Sequence, residues 1–191
     1  MSYPANKISL TEFLHSFSNH RHEFLDGMVS HKLLPPYKIA YTCGGLLKWL
    51  RDWSTQQQSG RVCLQRSLLL QRQGQVWVPV PELIYISSQR LPQQLDKDEH
   101  CSVPPELVVE VISAEHSFSE TIQKVTDYLI AGVDRVWVID IAGSVTVFAA
   151  NELPQTFGID DTISDVLLPG LTIPVADLFE TERSPNADQN Q

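Results

Sequence analysis

Glu110 is the residue of this chain whose surroundings most demand a chemical explanation. It stands in the run Leu107-Val-Val-Glu110-Val-Ile112, where a carboxylate is costly to bury unless it is paired, hydrogen-bonded or bound to a metal. Strand alternation also permits a plainer reading, an edge-strand glutamate turned to solvent. Upstream, Val-Pro-Val-Pro-Glu82-Leu-Ile-Tyr-Ile puts a second carboxylate at the entrance to another β-like run. Two carboxylates on neighbouring strands can clamp one divalent cation through oxygen, the donor that Mg²⁺ prefers. Downstream, Lys124 falls on the helix expected after the Glu110 strand. A cation there can orient or activate water or balance phosphate charge, or it can simply pair with Glu120 at i,i+4.

Other reactive residue types form weaker patterns. His20-x-His22 would set two imidazoles on one strand face, yet no third ligand lies near in sequence, which favours ordinary polar positions. Trp49 and Trp53, four apart on a helix, read as core or interface rather than as base-stacking platforms, and Asp140 as a turn-former. No Gly-rich phosphate loop, Ser-His-Asp elbow or dinucleotide fingerprint occurs.

The elements that must position these side chains follow from local patterns. A short amphipathic helix begins at Ser9 or Thr11 as its cap. Residues 22 to 29 read as a hairpin turning at Asp26-Gly27. Beyond Pro35-Pro36, the positions Ile39, Leu46, Leu47, Leu50 and Trp53 recur at helical spacing, which predicts a core-facing helix from Lys38 to Trp53. Arg61 to Leu70 and Val76 to Ser87 are β-like runs about a Gly-bearing turn, and residues 88 to 106 read as a loop. The nearly continuous apolar run 107–112 suits a central strand buried on both faces. A helix is expected from Glu120 to Ala131, stopping at Gly132. Strands at Arg135–Asp140 and Val145–Ala149 follow, then an Asp-rich loop, Leu171–Pro174 and a short helix over Val175–Phe179. The pattern gives one domain over residues 1 to 180, with 181–191 expected to be a disordered tail.

Bulk properties narrow the partners. With 191 residues, 42% of them hydrophobic and 19% charged, the chain has an ordinary globular composition. Cys43, Cys63 and Cys101 form no Cys-x-x-Cys pair, so neither a disulfide framework nor a zinc knuckle is indicated and a reducing cytoplasm is the expected home. No leader pattern or membrane-length apolar stretch is present, so no membrane partner is expected. The net charge of −9 is awkward for phosphate binding. A DNA-binding face must be local, drawn from Arg61, Arg66, Arg72, Arg90 and Lys97, or be assisted by metal ions.

Taken together, these segments resemble the Uma family of restriction endonucleases, a branch of the PD-(D/E)XK nuclease superfamily. The likeness runs from about Glu23 to Phe179. It is carried by the Glu23-Phe-Leu-Asp26-Gly27 hairpin, Pro81-Glu82, Pro105-Glu106-Leu-Val-Val-Glu110-Val and the Lys124-x-x-x-Tyr128 helix with Ala131-Gly132-Val133. Val136-Trp137-Val138-Ile139-Asp140, Leu168-Pro169-Gly170-Leu171 and Val175-Ala-Asp-Leu-Phe179 complete it. The resemblance implies a restriction-endonuclease-like α/β fold, a mixed central β-sheet flanked by α-helices. It also implies Mg²⁺- or Mn²⁺-dependent hydrolysis of DNA phosphodiester bonds. Glu82 and Glu110 would hold the ion with the Ile112 backbone carbonyl, Glu23 would help complete the site, and Lys124 would stand beside the attacking water. Ile112 takes the place where the superfamily has lysine, and Lys124 matches the lysine moved to the following helix. Two departures bear on catalysis: Glu82 replaces the usual aspartate, and Pro35-Pro36-Tyr37-Lys38 stands where the family commonly has histidine. Cutting two strands favours a homodimer. The rival readings are a weakened nuclease fold serving as a binding or assembly module, and a metal-dependent hydrolase of small phosphoesters.

Overall fold

A computed structural model of the chain describes residues 7–17, 21–91, 101–113 and 117–179. The tail expected over 181–191, His20 and Lys97 lie outside these residues. In chain order the elements are α1 (Leu10–Ser16), β1 (His22–Leu25), β2 (Met28–His31), α2 (Tyr37–Gln57), β3 (Gly60–Leu64), β4 (Leu70–Arg72), β5 (Gln75–Val78) and β6 (Leu83–Ser87). β7 (Leu107–Ile112), α3 (Phe118–Ile130), β8 (Arg135–Asp140), β9 (Ser144–Ala149), β10 (Gln155–Phe157), β11 (Thr162–Ser164) and β12 (Thr172–Pro174) follow, with a 3₁₀ turn over Val175–Leu178.

The main sheet has six strands in the order β10-β9-β8-β7-β6-β3. It is mixed: β7 and β8 run parallel, joined by the α3 crossover, while the remaining neighbours are antiparallel. Side-chain alternation along β7 divides the core in two. Leu107, Val109 and Val111 pack with Ile39, Cys43, Leu46, Leu50 and Trp53 of α2. Val108 packs on the other face with Val125 and Tyr128 of α3 and with Trp77. The central strand is thus apolar on both faces, as its sequence suggests, and Glu110 falls on the α3 face.

A second sheet, β2-β1-β5-β4, covers the α3 face beyond the end of β6. Its first hairpin turns through Asp26 at φ 48° and Gly27 at φ 79°, the paired positive values that a two-residue primed turn needs. Lys7 pairs with Asp26, and Ser9 caps α1 by accepting from the Glu12 N–H at 3.1 Å.

Two long β-runs expected from sequence are each divided. Arg61–Leu70 breaks where Gln65 takes φ 47°; β3 stays in the main sheet and β4 enters the second. Val76–Ser87 breaks at Pro79 and Pro81, which lack the N–H a ladder requires. The break separates β5 from β6 and leaves Glu82 at the junction of the sheets. Helix α3 starts two residues before the expected Glu120 and is closed by Gly132 at φ 97°, whose N–H donates to Leu129 O at 3.1 Å. Among the described residues, no helix is long and apolar enough to cross a membrane.

Candidate active site

Glu82 and Glu110 meet because β6 ends beside the middle of β7. Leu83 pairs with Val109, and the Glu82 N–H donates to the Val109 carbonyl at 3.0 Å. Leu83 and Val109 face α2, so alternation turns both glutamates toward α3. Both are buried, Glu82 at 5% and Glu110 at 8% exposure. The solvent-facing alternative for Glu110 is thereby excluded.

Helix α3 supplies two partners from one face, since residues four apart stack on a helix surface. The Tyr128 hydroxyl donates to Glu110 Oε1 at 2.8 Å, and its ring packs against Trp77 with centroids 4.7 Å apart. One turn earlier, Lys124 Nζ lies 2.9 Å from Glu110 Oε1 and 3.1 Å from Glu23 Oε1. Lys124 therefore pairs across the sheets and not with Glu120 on its own helix. Arg72 fastens the β4–β5 hairpin to α3 through Asp127 at 2.8 Å. Glu23, on β1, also accepts from the Val80 N–H at 3.0 Å.

Sequence reasoning missed Lys32. Its N–H extends the first hairpin by donating to Arg21 O at 2.7 Å, and its ammonium reaches Glu82 Oε1 at 2.9 Å, Glu110 Oε2 at 3.7 Å and Val80 O at 2.6 Å. Gln65 donates to the other Glu82 oxygen at 3.1 Å. The one available signal was the hairpin register: Glu23 opposes Ser30, so residues just beyond β2 lie near whatever Glu23 approaches.

Glu23, Glu82, Glu110, Ile112 and Lys124 all line one cleft of about 250 Å³, with Lys32, His31 and Val111. The Ile112 carbonyl, however, is turned away from Glu82: it accepts from the Ile141 N–H at 3.1 Å. Carbonyls alternate along a strand, so that of Val111 points to the opposite edge, beyond the end of β6. The Val111 carbonyl is therefore the one on the Glu82 side of the strand.

Charge within the cluster is nearly balanced. Burial by itself would raise the Glu110 carboxyl, but Lys124, Lys32 and the Tyr128 hydroxyl outweigh it and hold its pKa below the ordinary value. Burial would likewise lower Lys124, yet Glu110 and Glu23 keep it raised. Burial, then the Glu82 charge, pushes the neighbouring Cys43 thiol up to about 12, so it stays protonated and inert.

No group of three or more His, Cys, Asp or Glu is arranged to hold a metal among the described residues, and Lys32 and Lys124 pair with the cluster carboxylates. The donor chemistry nevertheless suits a hard divalent ion, being oxygen throughout. The Lys32 ammonium lies between Glu82 and Glu110, so the two carboxylates already share one cation.

Two of the arginines expected on a positive face are held in ion pairs. Arg90 pairs with Glu106 at 3.3 Å and Asp134 at 2.6 Å, and Arg72 is held by Asp127. His22 is buried and packs against Phe17 and His31. Trp53 donates to Pro169 O at 3.0 Å within the α2 core, while Asp140 accepts from the Ala142 N–H at 2.9 Å in a turn.

Comparison with known proteins agrees with this architecture. A crystal structure described as a "putative nuclease belonging to DUF820" from Anabaena variabilis superposes with a TM-score of 0.77 at 19% identity. The match covers 90% of this chain and 97% of that one. No curated protein matches significantly. The model of the Uma2 family, described as "Putative restriction endonuclease", matches residues 10–176, and the chain belongs to that family.

Proposed function

We propose that this protein is an endonuclease that hydrolyses DNA phosphodiester bonds with Mg²⁺ or Mn²⁺. The observation that carries this reading is the convergence of Glu23, Glu82, Glu110 and Lys124 on one cleft in a chain of a nuclease-related family. Glu82, Glu110 and the Val111 carbonyl would hold the ion, with Glu23 completing the site through Lys124. Bound there, the ion would polarise the phosphate and lower the pKa of a water.

The chain's own groups have separable tasks. Tyr128 fixes the Glu110 carboxylate in one rotamer through a buried hydrogen bond, the kind of support that holds a reactive group within a fraction of an ångström. Lys124 is kept protonated by Glu110 and Glu23, so it serves as a hydrogen-bond donor and positive charge toward water or phosphate and not as a base. With Arg72 and Arg90 of the expected basic face held in internal pairs, phosphate attraction falls more to the ion and the cleft lysines. A two-fold dimer would bring two such clefts to the two strands of a duplex. The free thiols suit a reducing compartment such as the cytoplasm.

The test is nicking of plasmid DNA by purified protein with Mg²⁺ or Mn²⁺ and its absence in EDTA. Lys124→Ala should slow cleavage by about 10²-fold or more, the usual effect of removing one transition-state donor, without weakening ion binding. A second reading, the nuclease fold kept as a binding module, is favoured by the ammonium partner that each cluster carboxylate already has. Absence of cleavage across varied DNA substrates with both ions would select it.

A further inference from the structure

We infer that Lys32 is a built-in competitor of the divalent ion, its ammonium and the ion occupying one position between Glu82 and Glu110 in turn. The inference rests on the ion-binding reading above and gives Lys32 a role toward the ion that reading does not assign. An ammonium has three N–H donors, and those of Lys32 face three oxygens from three places in the chain: Glu82 Oε1 at 2.9 Å, Glu110 Oε2 at 3.7 Å and Val80 O at 2.6 Å. A Mg²⁺ ion needs oxygens at about 2.1 Å in near-octahedral array. An ion bound to the same Glu82 and Glu110 oxygens would compete with Nζ for them, and two cations sharing these oxygens repel. The two states therefore exclude each other.

The exchange has a physical purpose on each side. Without an ion, Glu82 and Glu110 are buried carboxylates that would be costly if left unpaired, and Lys32 keeps them paired. With an ion, Lys32 has room to leave, because its side chain lines the open cleft. Swung outward, the ammonium faces whatever fills that cleft. A phosphate there would draw Lys32 off the carboxylates and favour ion entry, coupling the two ligands through their preference for the same state.

The experiment uses the wild-type chain and Lys32→Met. The lysine ammonium signals of ¹⁵N-labelled wild-type protein are followed by NMR as MgCl₂ is added, and MnCl₂ binding to both proteins is measured by calorimetry. The Lys32 ammonium, protected by its acceptors on Glu82 and Val80, should give a signal that disappears as the ion saturates. Lys32→Met should bind Mn²⁺ about 10- to 100-fold more tightly, the equivalent of one charge-assisted hydrogen bond no longer competing. The NMR arm needs no variant, so it decides the matter even if Lys32→Met folds poorly. A Lys32 signal that persists in ion-saturated protein, or equal affinity of the two proteins, overturns the inference alone. Failure of both proteins to bind Mn²⁺ overturns the ion-binding reading and the inference with it.

Discussion

Replacing Glu110 by glutamine tests whether this carboxylate both organises the cluster and binds the ion. The exchange keeps the shape of the side chain, and the Tyr128 hydroxyl, at 2.8 Å, can still donate to an amide oxygen. What is lost is the charge facing Lys124 at 2.9 Å and Lys32 at 3.7 Å. One charge-assisted hydrogen bond contributes about 1.5–3 kcal/mol. Lys124 keeps Glu23 and Lys32 keeps Glu82, so a net loss of about 2 kcal/mol is expected. For a chain of this size that lowers Tm by about 4–8 °C in EDTA. An ion bound only to the folded state at ~100 times its Kd adds about 2.7 kcal/mol, a rise of about 5–10 °C for wild type. Glu110→Gln should show no such rise. Thermal unfolding followed by circular dichroism, in EDTA and in Mn²⁺, reads both effects. An undiminished Mn²⁺ rise in the variant would place the ion elsewhere, and an unchanged Tm in EDTA would refute the organising role.

Tyr128→Phe removes a buried donor to Glu110 and should lower stability by about 1–2 kcal/mol, read by denaturant titration, with the Trp77 ring contact retained. Glu82→Asp should lower DNA cleavage, although it restores the residue usual in the family, because both Glu82 oxygens are already held by Lys32 and Gln65 at the length of a glutamate; faster cleavage by the variant would show the longer side chain to be a damaged ligand. Gly60→Ala should cost about 2 kcal/mol or more, since an added Cβ would meet the Ile86 carbonyl and lie 2.7 Å from Ser87 Cα across the β3–β6 pair; a Tm within a degree or so of wild type would contradict that close approach.

Local sequence carried the parts of this protein that depend on neighbours in the chain. A nearly continuous apolar run made β7 a central strand and marked Glu110 as a buried carboxylate, because burial on both faces leaves no position for unpaired charge. Asp26-Gly27 fixed the hairpin through the positive φ both residues adopt, and helical spacing placed Lys124 and Tyr128 on one face of α3. Such patterns are weaker for β10 and β11, which have three residues each and lie in what reads as an Asp-rich loop. The division of Arg61–Leu70 and Val76–Ser87 between two sheets was hidden for another reason: each half has strand character, and only packing decides which partner it takes. Lys32 was hidden most completely. Its neighbours, including Leu33 and Leu34, form no motif that marks it, and its ammonium reaches Glu82 and Glu110 only because the β1–β2 hairpin lies over the end of β6. The sequence determined which side chains could do chemistry; the tertiary structure decided which cation stands between them, because side-chain periodicity is a local property and the distance between two charges distant in sequence is not.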